Sequence, residues 1–184
     1  MTELEVAKSA IDRVLQAHLP YPAFAVDRHW NLILSNSALP QLYEGCSAEL
    51  MRPPVNSVRL LLHPSGMGTR IVNFAAWRGH TLHVLRQQLE PRADPVIQGL
   101  LSGVAGYPVP PGSEAPDNFD GSQRLANTTP DIDPLRHCVL PESVTVFGTA
   151  SDVTLSELAL EMLFPADSET VEIVRRITAE PNSL

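Results

Sequence analysis

The sequence predicts an α+β domain: an antiparallel sheet with helices packed over one face, preceded by an N-terminal helix. Three observations predict it. Phe24-Ala25-Val26 and Leu32-Ile33-Leu34 are short β-favouring runs separated by the polar turn residues Asp27 to Asn31, which is the pattern of a hairpin. A long helical pattern ending at Leu89 is more apolar than a surface helix needs, so it must lie on a sheet or on other helices. The last third returns to strand-forming composition, with Ser143-Val144-Thr145-Val146-Phe147 alternating in β-favouring residues.

Taken in order, Thr2 and Glu5 fit a capping box at the start of a helix. Leu4, Ala7, Ile11, Val14 and His18 recur at steps of three and four, the spacing of an a/d seam that is short of a full coiled coil. Two readings stand: the seam packs on its own domain, or it pairs with a second copy and leads in from another domain. The helix ends before Leu19-Pro20-Tyr21-Pro22, because residues before proline leave the helical region. Residues 1–19 thus read as a connector or dimerisation helix, and 20–180 as the domain proper. After the hairpin, Asn36-Ser37 caps a short helix through Leu39, Leu42 and Tyr43.

Val58 to Leu62 reads as a short strand or as one helical turn, stopped by His63-Pro64. Beyond Ser65-Gly66-Met67-Gly68, a helix is expected from about Thr69 to Leu89, with Val72, Ala76, Leu82, Leu85 and Leu89 on one face. Asp94 as N-cap and Pro95 in the first turn open a second helix with Ile97, Leu100, Leu101 and Val104 as its apolar face. Residues 107–134 are rich in Pro, Gly, Asp, Asn and Ser and read as a long mobile loop, or else as a lid. Leu135 to Leu140 is a further candidate strand. The segment Leu155 to Phe164 fits a helix through Leu155, Leu158, Ala159, Met162 and Leu163. It fits a strand equally well through Leu158, Leu160, Met162 and Phe164. Glu169 to about Ala179 closes the chain as a helix carrying Val171, Val174 and Ile177.

Composition narrows the function. Thirteen Lys+Arg against 21 Asp+Glu give a net charge of −8, which phosphate backbones repel. There is no helix-turn-helix signature and no basic stripe, so independent DNA binding is not expected. Cys46 and Cys138 are too few and too isolated for a disulfide framework or a zinc site. No apolar run approaches the ~20 residues of a membrane span, and the N-terminus lacks a signal core, so a cytoplasmic protein without membrane attachment is expected.

No constellation specifies an enzyme. Ser65 beside His63 lacks a nucleophile elbow. His80 and His83 are spaced for a metal but have no third ligand of suitable type close by, and no metal or cofactor is expected. Gly66-Met67-Gly68 before a helix start suggests an anion site but lacks the lysine of a phosphate loop. Glu157 and Glu161 read as paired carboxylates or, on a strand or helix surface, as solvated ones. The cluster with most chemical content is Arg59, His63, Asn73, Trp77 and Arg78, interleaved with Leu61, Leu62, Phe74 and Leu82. A buried cation needs an anion. That anion is either internal, such as Asp27 or Glu161, or the carboxylate of a ligand whose tail lies along the apolar side chains.

A resemblance covers most of the chain, about Tyr21 to Arg176. Asn56-x-x-Arg59-x-x-Leu62-His63-Pro64, then Arg70-Ile71-Val72-Asn73, Trp77-Arg78-x-His80 and Leu85-Arg86-x-Gln88 resemble the ligand-sensing domain of MmyB-like bacterial transcription regulators. Tyr21-Pro22-Ala23 with Val26-Asp27-Arg28, Trp30-Asn31 and Asn36 resembles that family's opening. Thr145 to Thr149, Asp152 to Ala159 and Phe164 to Asp167 resemble the close of one branch. The resemblance implies a PAS-like domain, a strand rather than a helix at Leu158 to Phe164, and a bound fatty acid or similar small apolar ligand. It also implies a homodimer acting on DNA through an XRE-type helix-turn-helix that this sequence does not contain, which suggests a cut-down form or a short member. The chain is shorter than the family pattern between Leu135 and Val144. The expected pocket is lined by Phe24, Val26, Leu34, Leu61, Phe74, Trp77 and Phe147, with Asn73 nearby and Arg59, His63 or Arg78 meeting an acid head. The alternatives are a ligand-free dimerisation module and a small hydrolase.

Overall fold

A computed structural model describes residues 3–71, 74–91, 93–111, 113, 124–126, 139–146, 158–165 and 167–179. Helix α1 (Glu3–Ala17) leads into the hairpin β1 (Ala23–Val26) and β2 (Leu32–Ser35). The short helices α2 (Leu39–Leu42) and α3 (Ser57–Leu62) follow, then α4 (Phe74–Leu89) and α5 (Pro95–Ala105). Strands β3 (Arg124–Ala126), β4 (Val139–Val146) and β5 (Ala159–Leu163) precede α6 (Ser168–Ala179). The five strands form one antiparallel sheet in the order β2-β1-β5-β4-β3, so the α+β architecture with a leading helix is present as expected.

The hairpin forms where the turn residues place it. Asp27 accepts from the backbone N–H groups of His29 and Asn31, both at 2.8 Å, and from the Asn31 side chain at 3.0 Å. This turn engages Asp27 locally. Trp30 closes the turn with φ 67°, a left-handed conformation uncommon for a bulky residue. Its carbonyl accepts from the Ser57 N–H at 2.9 Å and from the Ser57 hydroxyl at 3.1 Å. The hairpin tip is thereby tied to the start of α3. Asn56 completes the tie: it caps α3 by accepting from Arg59 N–H at 3.1 Å and donates to the His29 carbonyl at 2.8 Å.

Several expectations are corrected. Helix α1 follows the seam read from its spacing only in part: the seam residue Ile11 is buried together with Leu15, whereas the seam residue Val14 is exposed. Ile11 and Leu15 pack with Ala23, Ala25, Leu158 and Leu160, so the helix covers one face of the sheet. Thr2 lies outside the described residues. Asn36 does not cap α2 in the ordinary sense but sits buried between α1, β1 and α2. Helix α4 does not include Thr69, Arg70 or Ile71. There the chain turns tightly around the end of α3, with Met67 N–H donating to the Leu60 carbonyl and Gly68 N–H to that of His63. Gly66 and Gly68 are needed for this close approach: a Cβ at Gly66 would stand 2.2 Å from the Leu60 oxygen, and one at Gly68 2.8 Å from that of Leu62. These N–H groups serve the fold, which displaces the anion-site reading of Gly66-Met67-Gly68.

In the last third, β4 runs continuously through Pro141 instead of forming two strands. Its residues 139–141 pair with β3, which lies inside the stretch read as loop, and residues 142–146 pair with β5. The ambiguous segment is the strand β5, paired on both sides, with Leu158 and Leu160 toward α1 and Leu163 toward the main core. Helix α5 is capped by Asp94, and α6 by Asp167, which accepts from Thr170 N–H at 2.7 Å. The main core lies on the sheet face opposite α1, between β1, β5 and helices α2 to α6.

Candidate functional site

A cavity of about 300 Å³ lies between the main-core face of the sheet and helices α2 to α4. Its floor is Phe24 and Glu161, directly opposite one another on β1 and β5, with Leu163 further along β5. Directly paired residues share a sheet face, so register alone brings the acid beside the aromatic ring. One wall is Trp77, His80, Thr81 and Val84, a single face of α4 at helical spacing. The opposite wall is Ser57, Val58 and Leu61 of α3 with Leu42, Tyr43 and Met67, and Trp30 of the hairpin tip completes it. Most of this lining is apolar.

The polar groups in the lining have defined orientations. The Thr81 hydroxyl donates to the Trp77 carbonyl at 2.9 Å, and the Ser57 hydroxyl to the Trp30 carbonyl at 3.1 Å. Each hydroxyl has one hydrogen, so what remains is lone pairs. The Trp30 indole N–H donates to the Gln88 side chain at 2.9 Å, which holds the ring against α4. Burial pushes the His80 imidazole below its ordinary value of 6.5, and neighbouring His83 adds to the effect, so His80 is neutral at pH 7. Glu161 is 5% exposed. This corrects its reading as a solvated carboxylate. No arginine or lysine is among the described residues that line the cavity.

Of the residues singled out from sequence, the structure brings Phe24, Leu61 and Trp77 to this cavity. Val26 and Phe74 are fully buried in the adjoining core without reaching its lining. Leu34 faces the other way and packs with the cluster beneath α1, because its strand position has the opposite parity. Arg59 and His63 line a separate, more polar groove of about 590 Å³ with Arg52, Glu49 and Asn56, and the two linings share no residue. His63 Nδ1 accepts from Ser65 N–H at 3.0 Å, and its ring edge meets Tyr107. Arg78 donates to the carbonyl of Ala105 in the last turn of α5, the end of a helix that favours a cation. Asn73 and Phe147 lie outside the described residues. The structure therefore separates the cations expected beside an acid head from the apolar cavity.

Sequence reasoning missed Trp30, Tyr43, His80, Thr81, Val84 and Glu161 as lining residues. For three of them a signal existed: His80, Thr81 and Val84 follow Trp77 at steps of three, four and seven. No group of His, Cys, Asp or Glu among the described residues is arranged to hold a metal ion. No helix among them is long and apolar enough to cross a membrane.

Comparison with known families settles what kind of domain this is. Residues 7–177 match the MmyB-like transcription regulator ligand binding domain. The chain belongs to that family. No curated protein matches it in sequence. As an MmyB-like ligand-binding domain it is a regulator's sensor domain, for which a small molecule is the implied partner. The match begins within α1 and ends within α6, so it takes in every strand that bounds the cavity.

Proposed function

We propose that this domain senses a small, mostly apolar, fatty-acid-like molecule held in the cavity between β1, β5, α3 and α4. It acts by binding rather than by catalysis. The observation that carries the reading is the cavity itself: about 300 Å³ of largely apolar space in a family of ligand-binding domains. The Phe24, Leu61 and Trp77 side chains would lie along the ligand, with Val58 and Leu163.

The ligand shifts the population between two arrangements of the domain, favouring the one it binds better. Helix α1 is the element suited to pass the change on. It covers the far side of the strands that floor the cavity, and His18 just beyond its end bonds the Leu163 carbonyl at 2.7 Å. In this reading a cytoplasmic homodimer controls DNA binding by a helix-turn-helix domain outside this sequence.

Native mass spectrometry of the purified protein, with extraction of anything bound, tests the reading. One apolar molecule per chain, with thermal stabilisation when it is added back, is the expected result. A protein that purifies empty, and whose melting temperature stays fixed across apolar ligands, would overturn it in favour of a ligand-free dimerisation module.

A further inference from the structure

We infer that the polar groove lined by Arg52, Arg59 and His63 is a second binding site, for a small organic anion with an apolar or aromatic body. It shares no lining residue with the apolar cavity, so it stands whatever the cavity holds. At about 590 Å³ it falls within the size range of small-molecule sites, about 300–1,000 Å³.

The charge of the lining is one-sided. Arg52 and Arg59 bring two guanidinium groups, against Glu49 as the one carboxylate among the described lining residues. Among the described residues, neither guanidinium is engaged by a carboxylate or by a carbonyl. In a chain with 21 Asp+Glu against 13 Lys+Arg, this is not the consequence of a shortage of anions. Hydrogen-bond direction points the same way. His63 Nδ1 accepts from the Ser65 N–H at 3.0 Å, so the ring donates through Nε2. The Ser47 hydroxyl accepts from the Glu49 N–H at 3.3 Å and keeps its own hydrogen to give. The Asn56 amide, which suits either kind of ligand, is taken up: its nitrogen donates to the His29 carbonyl and its oxygen accepts from the Arg59 N–H.

What the groove offers a ligand is therefore mostly donors, and Glu49, which is exposed, meets water. A planar guanidinium binds a carboxylate or a phosphate two bonds at a time, which suits an anion with several acceptor oxygens. Leu50, Val96 and Leu100 supply an apolar wall for the rest of the molecule. The Tyr107 ring, edge-on to His63 with centroids 4.9 Å apart, adds an aromatic surface.

Four probes that share one ring and differ in head group decide the matter: benzoate, phenyl phosphate, benzamide and benzylamine. They are titrated into the ¹⁵N-labelled full chain and followed by NMR. Both anions are expected to bind and to shift the Arg52 and Arg59 Nε–H signals, with benzamide at least about tenfold weaker and benzylamine silent. The tighter anion then separates a carboxylate ligand from a phosphate ester. Both tryptophans of the sequence, Trp30 and Trp77, line the apolar cavity, so their indole signals report a probe that enters there instead. Arg52→Gln and Arg59→Gln alter exposed side chains and should each weaken the anions by about tenfold. Benzamide binding as tightly as benzoate, no binding of either anion at millimolar concentration, or shifts confined to the indoles would overturn the proposal, and none of these readings needs a variant to fold. Unchanged anion affinity in both folded variants would overturn it as well.

Discussion

The Asn36 amide donates to the Leu15 carbonyl at 3.0 Å, joining the last turn of α1 to the segment that leaves β2. The same side chain donates to the Tyr21 carbonyl at 2.8 Å and accepts from the N–H groups of Ala23 and Ala38, each at 3.2 Å. One buried amide thus holds the end of α1, the start of β1 and the entry to α2 in register. Helix α1 reaches the sheet as a fixed part of the domain rather than as a loose leader.

Removing that amide should be costly. Asn36→Ala deletes four hydrogen bonds, three of them buried, and is expected to lower unfolding free energy by roughly 2–4 kcal/mol. Urea titration measures it. A loss below ~0.5 kcal/mol would mean that water or a shifted α1 replaces the amide at no cost.

The packing of α1 makes a second, paired prediction. Leu15→Ala opens a hole beneath α1 at a fully buried position and should cost about 2–5 kcal/mol. Val14→Ala, one residue earlier and exposed, should stay within about 0.5 kcal/mol. Equal small effects at both sites, read by denaturant melts at a concentration where the protein is monomeric, would show that α1 detaches from the sheet in solution.

Glycine positions separate close packing from open space. Gly66→Ala puts a methyl group 2.2 Å from the Leu60 carbonyl oxygen, a backbone atom that cannot swing away. The turn between α3 and α4 must then deform, with an expected loss of at least ~2 kcal/mol. Gly79 lies inside α4 with nothing near its missing Cβ, so Gly79→Ala should stabilise by about 0.5–1 kcal/mol through helix propensity. Thermal melts of the two variants should move in opposite directions, and a shared sign would contradict the geometry around Gly66.

The elements whose signals are local were readable from sequence. The hairpin, the Asp94 cap with Pro95 and the final helix follow from turn, cap and period, which depend on neighbours along the chain. The start of α4 was not readable, since Thr69 to Ile71 have helical spacing, but Met67 and Gly68 just before them fold back on the end of α3 through bonds to Leu60 and His63. β5 is the instructive case. Its apolar residues occupy both parities, so its periodicity cannot exclude a helix, and the family resemblance had to choose. Once it is a strand, both of its faces must be covered, by α1 on one side and the core helices on the other. Glu161 is then necessarily inside, on the face shared with Leu163. The site's acid was hidden behind that one secondary-structure ambiguity. Arg59 and His63 misled for a complementary reason: they flank cavity residues Val58 and Leu61 in sequence but project from other faces of α3's last turns into the second groove.

The imidazole of His80 predicts a pH dependence with a definite sign. Burial, aided by His83, holds its folded-state affinity for a proton below that of the unfolded chain, whose ordinary value is 6.5. Above pH 6.5 both states carry it neutral, and it contributes no slope. As pH falls below 6.5 the unfolded state binds the proton first, so stability declines until the folded-state value is reached and is flat beyond. Comparison with His80→Gln isolates this group, because Asp94 and other carboxylates titrate alike in both proteins. The difference in melting temperature, unaltered protein minus variant, should be constant above pH 6.5 and fall on acidification. A difference that instead rises as pH drops would mean that the fold stabilises protonated His80.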